Sequence, residues 1–253
     1  MNRALKITFL ILQILITCGI LTYAVSLGIS SGLSLTQIVS LPQGLDYIPI
    51  ALHSVLLLIF GIIFFIVFGK ATYPEVTFIM IAASLILCMN LRIFLYLPIE
   101  FSAIEVILIQ KVFYTLWMLS FALIFCSGLF HNGISYLKQN FFILISLCIT
   151  LIIMVLTPIS NHLDSLQNYS DLLSIKIIIA LLGIFSILNY ITASVRNNTK
   201  TFFLIALGVA LFLAGNVMFL YLNNILQLGI ASILLIIGSF FLIRKFYTLH
   251  LWS

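Results

Sequence analysis

Eight stretches of about 20 residues, almost free of charge, divide this chain: 5–27, 48–69, 76–97, 107–130, 140–158, 173–195, 201–222 and 225–243. A helix rises about 1.5 Å per residue. A run of about 20 apolar residues therefore matches the roughly 30 Å hydrocarbon core of a bilayer. Inside that core each backbone N–H and C=O must find its partner within the protein, which leaves only helices and closed barrels. The runs are continuous and lack the alternation of barrel strands. The expected fold class is therefore all-α: a polytopic helical membrane protein with eight transmembrane helices, forming a single membrane domain over 1–253. The prolines agree. Pro42, Pro49, Pro74, Pro98 and Pro158 all sit at or beside run ends, where the missing N–H breaks no interior helical bond. Composition points the same way. Only 7% of residues are charged and 64% are hydrophobic, against roughly 25% charged in a soluble domain.

Basic residues near span ends set orientation. With the N-terminus inside, the cytoplasmic side holds Arg3, Lys6, Lys70, Lys138, Arg196, Lys200, Arg244 and Lys245. The remaining basic residues, Arg92, Lys111 and Lys176, lie on outer halves or outer ends of spans. Acids sort oppositely: Asp46, Glu100, Glu105, Asp164 and Asp171 fall outside, and only Glu75 falls inside. The expected topology is N-in and C-in. Cationic residues are scattered singly, without the basic stripe a nucleic-acid partner needs, so the lipid bilayer is the expected partner.

The first run admits a second reading. A short positive region precedes it, and Ala24-Val25-Ser26 resembles a signal-peptidase site. Cleavage after Ser26 would leave seven spans. The apolar run, about 20 residues long, exceeds the usual 7–15 of a signal peptide, which favours retention. Outside loops are expected at 28–47 and 159–172. The first could lie along the surface as an amphipathic segment through Leu33, Leu35, Ile38, Val39 and Leu41. Only eight residues follow Lys245, so no kinase, cyclase or ATPase domain is expected. Cys18, Cys88, Cys126 and Cys148 all fall in apolar runs without a CxxC pair. They are expected to pack, with no disulfide, no zinc and no cofactor.

Polar groups inside a membrane are costly, so they are where function is sought first. Most of them lie at outer depth: His53 in the second run, Asn90 and Arg92 in the third, Glu105, Gln110, Lys111 and Tyr114 at the start of the fourth, Asn216 in the seventh and Gln227 in the eighth. Lys176 opens the sixth. Gln13 and Asn189 lie nearer the inner half. One reading is an outward-open cavity for a small polar or anionic ligand, with Arg92 as anchor, because guanidinium binds carboxylate or phosphate through two parallel bonds. The other has Arg92 snorkelling to pair with Glu100 or Glu105, while the amides bond between helices.

Enzyme signatures are weak, and no catalytic residue is assigned. His53 and His162 fall outside while His131 and His250 fall inside, which excludes a four-histidine metal site. His162 and Asp164 alone make a poor metal pair. Neither HExxH nor GxSxG occurs. Coupled transport is disfavoured, because no proline interrupts a span and no acid sits at mid-depth. Ala206, Ala210 and Ala214 recur every four residues beside Gly208 and Gly215, a stripe of small residues suited to close helix packing within the bundle. Gly229 and Gly238 could do the same on the last span.

One leading hydrophobic segment, an outside segment, then seven closely spaced spans resembles the bacterial seven-transmembrane sensor modules that precede histidine kinases. The junction Lys70-Ala-Thr-Tyr-Pro-Glu75, with the run that follows to Asn90-Leu-Arg92, carries the likeness. The resemblance implies ligand sensing in a bacterial cytoplasmic membrane, with Arg92 as the residue to carry over. Those modules feed an output domain, and none is expected here, so signalling would require a separate partner protein. A transporter or permease subunit, or a structural subunit of a membrane complex, are the other expectations.

Overall fold

The structure is a computed structural model that describes residues 3–30, 47–70, 73–96, 102–131, 139–157, 173–220 and 225–251. Among these there are eight α-helices and no strand: α1 (Arg3–Ser30), α2 (Tyr47–Phe68), α3 (Pro74–Met89), α4 (Ala103–His131), α5 (Gln139–Leu156), α6 (Leu173–Asn197), α7 (Lys200–Leu220) and α8 (Ile225–Leu251). Each overlaps one apolar run. Seven carry spans of 21–27 residues, long and apolar enough to cross a membrane, and α5 is shorter. This is the architecture of a helical, multi-pass membrane protein. The amphipathic segment expected through Leu33–Leu41, the loop of His162 and Asp164, and the acids Asp46, Glu100 and Asp171 lie outside the described residues.

Which residues face outward is inverted relative to a water-soluble protein. Ile66, Val155, Leu156 and Val195 are more than 70% exposed, while Lys6, Gln13, His53, Asn90, Gln110 and Asn216 are at most 3% exposed. Apolar side chains lose nothing by facing lipid, whereas polar ones must be satisfied by one another.

Pro74 occupies the first turn of α3, where its absent N–H would have had no helical partner. Beyond Met89 the chain does not stay α-helical. Asn90–Tyr96 continues as a seven-residue 3-10 helix, with the Asn90 N–H turned to the Leu87 carbonyl. Its only mark in the sequence is the polar pair Asn90 and Arg92 within an otherwise apolar run. Tighter winding turns successive side chains by a different angle from an α-helix, and here it aims Asn90 and Arg92 inward.

Helix contacts close a circuit α1–α2–α8–α7–α6–α4–α3 and back to α1, with α5 packed on α4. The spans of α3 and α4 are the most enclosed. Lys6 Nζ, near the start of α1, donates to the Phe68 carbonyl at the end of α2 at 2.9 Å, placing a cation on an orphan helix-terminal carbonyl. Tyr23, far along α1, meets Phe94 with ring centroids 5.3 Å apart. Helix α1 thus runs antiparallel to α2 and parallel to α3. Gln13 of α1 donates to Ser84 Oγ of α3 at 2.8 Å, and its amide oxygen lies where a Cβ on Gly61 of α2 would be. The glycine is what lets a long polar side chain cross three helices.

Helices α7 and α8 pack backbone to backbone. A Cβ on Gly208 would lie 3.0 Å from Phe241 Cβ, and one on Gly215 would lie 2.8 Å from the Leu235 nitrogen. A Cβ on Gly238 would press into the Phe212 nitrogen. The seam therefore follows the seven-residue spacing of Gly208 and Gly215, not the four-residue alanine stripe. Ala206 is buried, Ala210 is half-buried and Ala214 is exposed. Gly229 faces open space.

Candidate functional site

Three polar side chains from three separate segments meet at His53. The ring nitrogen Nε2 lies 2.8 Å from Asn216 Oδ1 on α7. The other, Nδ1, lies 3.2 Å from Asn90 Oδ1 at the first position of the 3-10 helix. The imidazole is stacked on Phe219 at 4.5 Å between centroids. Helix α2 brings His53 inward because Ile50 and Leu57, one turn to either side, and the adjacent Ser54 are buried with it.

The bonds beyond the two asparagines fix their orientation. Asn216 Nδ2 donates to the Phe212 carbonyl at 2.7 Å, so its oxygen must face the ring and Nε2 must donate. Asn90 Nδ2 donates to Ser54 Oγ at 2.9 Å, and Ser54 Oγ donates to the Ile50 carbonyl at 2.8 Å. Both ring nitrogens therefore face carbonyl oxygens, an arrangement that uses both N–H groups of an imidazolium. A neutral imidazole has one N–H. It would be equally satisfied after the Asn90 amide turns over and the Ser54 hydroxyl rotates to donate to Asn90 Oδ1. The α7 side of the junction is fixed by a backbone carbonyl, and the α2–α3 side is adjustable.

Arg92 reaches the same place from two residues further on. Its Nη2 lies 3.4 Å from the Phe219 carbonyl, and the side chain is 8% exposed. The guanidinium thus approaches the backbone of the residue on which His53 stacks. Gln110 and Tyr114, one turn apart on α4, are buried, and Tyr114 lies against Trp117. Trp117, Phe121, Met89 and Leu220 join His53, Asn90 and Asn216 around a cavity of about 10 Å³, at the lower limit for one water molecule.

Two of the residues expected here are engaged elsewhere. Glu105 is exposed and forms a reciprocal cap with Ser102, whose N–H and hydroxyl both donate to Glu105 Oε2 at 2.8 Å. That is the capping box of the α4 N-terminus. Lys111 Nζ donates to the Val155 carbonyl at 3.3 Å, tying α4 to the end of α5. Gln227 is half-buried in the first turn of α8. Sequence reasoning missed Ser54, Phe219 and Trp117. Ser54 had a visible signal, since it follows His53 directly. The aromatic pair had none, in a chain with 22 phenylalanines and two tryptophans.

A second polar contact lies toward the opposite end of the bundle. Ser127 Oγ of α4 donates to the Glu75 carbonyl of α3 at 3.2 Å and lies 2.7 Å from the Tyr190 hydroxyl of α6. These bonds fasten α3, α4 and α6 together. Comparison with known protein families, curated proteins and solved structures returned no match.

Proposed function

We propose that this chain is a membrane sensor of the seven-helix type. It would cross a bacterial cytoplasmic membrane eight times with both ends inside, and α1 would be retained. It recognises a small polar or anionic ligand from the extracytoplasmic side and signals through a separate partner protein. The observation that carries this reading is the convergence of His53, Asn90, Asn216 and Arg92 from α2, α7 and the 3-10 segment. A run of seven 3-10 residues exceeds the usual three or four, and such segments often mark hinges. Ligand binding then means opening the junction: the anion takes Arg92 away from the Phe219 carbonyl, and the adjustable Asn90–Ser54 side gives way. Retention of α1 is supported by its bonds from Lys6 and Gln13 to α2 and α3. The excess of basic residues at inner ends supports the orientation.

A screen of small carboxylates and phosphates, read as thermal stability of the purified protein in detergent, tests the reading. At least one compound is expected to raise the melting temperature. A ligand that binds the folded state at a hundred times its Kd stabilises by about 2.7 kcal/mol, and Arg92→Ala is expected to remove that shift. No stabilising compound, or a shift intact in Arg92→Ala, would refute it. The second reading is a structural subunit, and the cavity of about 10 Å³ favours it. Here the junction only holds helices together, and a partner that co-purifies in fixed ratio is its mark.

A further inference from the structure

A groove of about 380 Å³ runs between α2 and α8 on the outside of the bundle. Its walls are Ile59 and Ile63 of α2 and Ile236 and Phe240 of α8, each 43–54% exposed. Arg244 closes one end. The Arg244 guanidinium lies 5.7 Å from the Phe240 ring centroid, and it is exposed. Among the described residues no carboxylate neutralises it.

We propose that this groove binds an anionic phospholipid, with one acyl chain between α2 and α8 and the phosphate on Arg244. The dimensions fit one leaflet. Leu235 and Arg244 bound the groove along α8, nine residues or about 13.5 Å apart at helical rise. Half of a hydrocarbon core of roughly 30 Å is about 15 Å. The volume lies within the range of about 300–1,000 Å³ typical of small-ligand sites.

Charge at the Arg244 end complements a phosphate. Both α2 and α8 run antiparallel to α7, as the successive pairings His53–Asn216 and Phe60–Phe212, and Gly215–Leu235 and Gly208–Phe241, require. They are therefore parallel to each other, and exposed Lys70, just beyond α2, lies toward the same end as Arg244 and Lys245. Hydrocarbon alone gives little preference, because the bilayer is as apolar as the groove. Selectivity must come from the headgroup: guanidinium grips phosphate through paired bonds, and net negative charge favours a lipid whose phosphate is not offset by a headgroup cation such as choline. This inference stands apart from the ligand site at His53 and does not depend on it.

Native mass spectrometry of protein released from vesicles of equimolar phosphatidylglycerol and phosphatidylcholine tests it. The wild type is expected to retain phosphatidylglycerol about five-fold over phosphatidylcholine, the preference one basic residue near the surface gives. Arg244→Gln should lower that ratio several-fold, leaving only what Lys70 and Lys245 contribute at the same end. Ile236→Trp, which fills the groove from an exposed position, should lower retention of both lipids. Arg196→Gln, at the exposed end of α6, should change nothing. No preference in the wild type, a preference undiminished in Arg244→Gln, or an equal loss in Arg196→Gln would overturn the assignment.

Discussion

His53 is held by partners that are themselves held. Asn216 is anchored to the Phe212 carbonyl, so removing its side chain strands Nε2 in a dry interior. A buried donor left unmet costs about 1–3 kcal/mol. Asn216→Ala is expected to destabilise by that amount, measured by thermal or denaturant unfolding in detergent. Loss of less than about 0.5 kcal/mol would mean the ring is satisfied by other groups. Arg92, Asn90, His53 and Asn216 were legible as polar residues at one depth, and the structure brings them into one junction. Glu105 was legible in a different sense. Ser102-Ala-Ile-Glu105 is a capping-box signature, yet an acid at a span end also reads as a ligand, and depth alone cannot separate the two. Lys111 could not be read at all, because its acceptor is a backbone carbonyl 44 residues away.

The helices themselves were readable, because their lengths answer to bilayer thickness and their ends to proline and charge. What happens inside them was less so. The passage from α-helix to 3-10 begins at Asn90, where Asn90 and Arg92 interrupt an otherwise apolar run, and two polar residues do not by themselves specify a change of winding. Small residues were readable as a class, but not by face. A four-residue alanine repeat is conspicuous in sequence, whereas the α7–α8 seam runs through glycines seven apart. Two substitutions separate these faces. Gly238→Ala forces a methyl into the α7 backbone and is expected to destabilise by about 1–3 kcal/mol, as overpacking does. Gly229→Ala meets open space, and it should be neutral or stabilise by up to about 1 kcal/mol through helix propensity. Equal effects at the two positions in a thermal-unfolding comparison would show that the seam lies elsewhere.

Across the whole molecule, polar chemistry is segregated by depth. The His53 junction ties α2, α3 and α7 together, and the Ser127–Tyr190 contact ties α3, α4 and α6 at the other end. Between them the packing is mainly apolar and aromatic, with Phe60, Phe64 and Phe212 in ring contact, and the buried Gln13–Ser84 bond joins α1 to α3 at intermediate depth. The order of helices around the bundle was invisible in the sequence, since hydropathy records depth but not neighbours. The account rests on a chain that crosses the membrane with its His53–Arg92 junction nearer the outside. Helix α6 offers the most direct measurement, because Ser174 and Asn197 are exposed at its opposite ends. Single cysteines at these two positions, in a background with the four native cysteines replaced, can be challenged by a membrane-impermeant thiol reagent on intact cells. Ser174→Cys is expected to label from outside, and Asn197→Cys only after permeabilisation. The reverse pattern, or labelling of both positions in intact cells, would contradict the account.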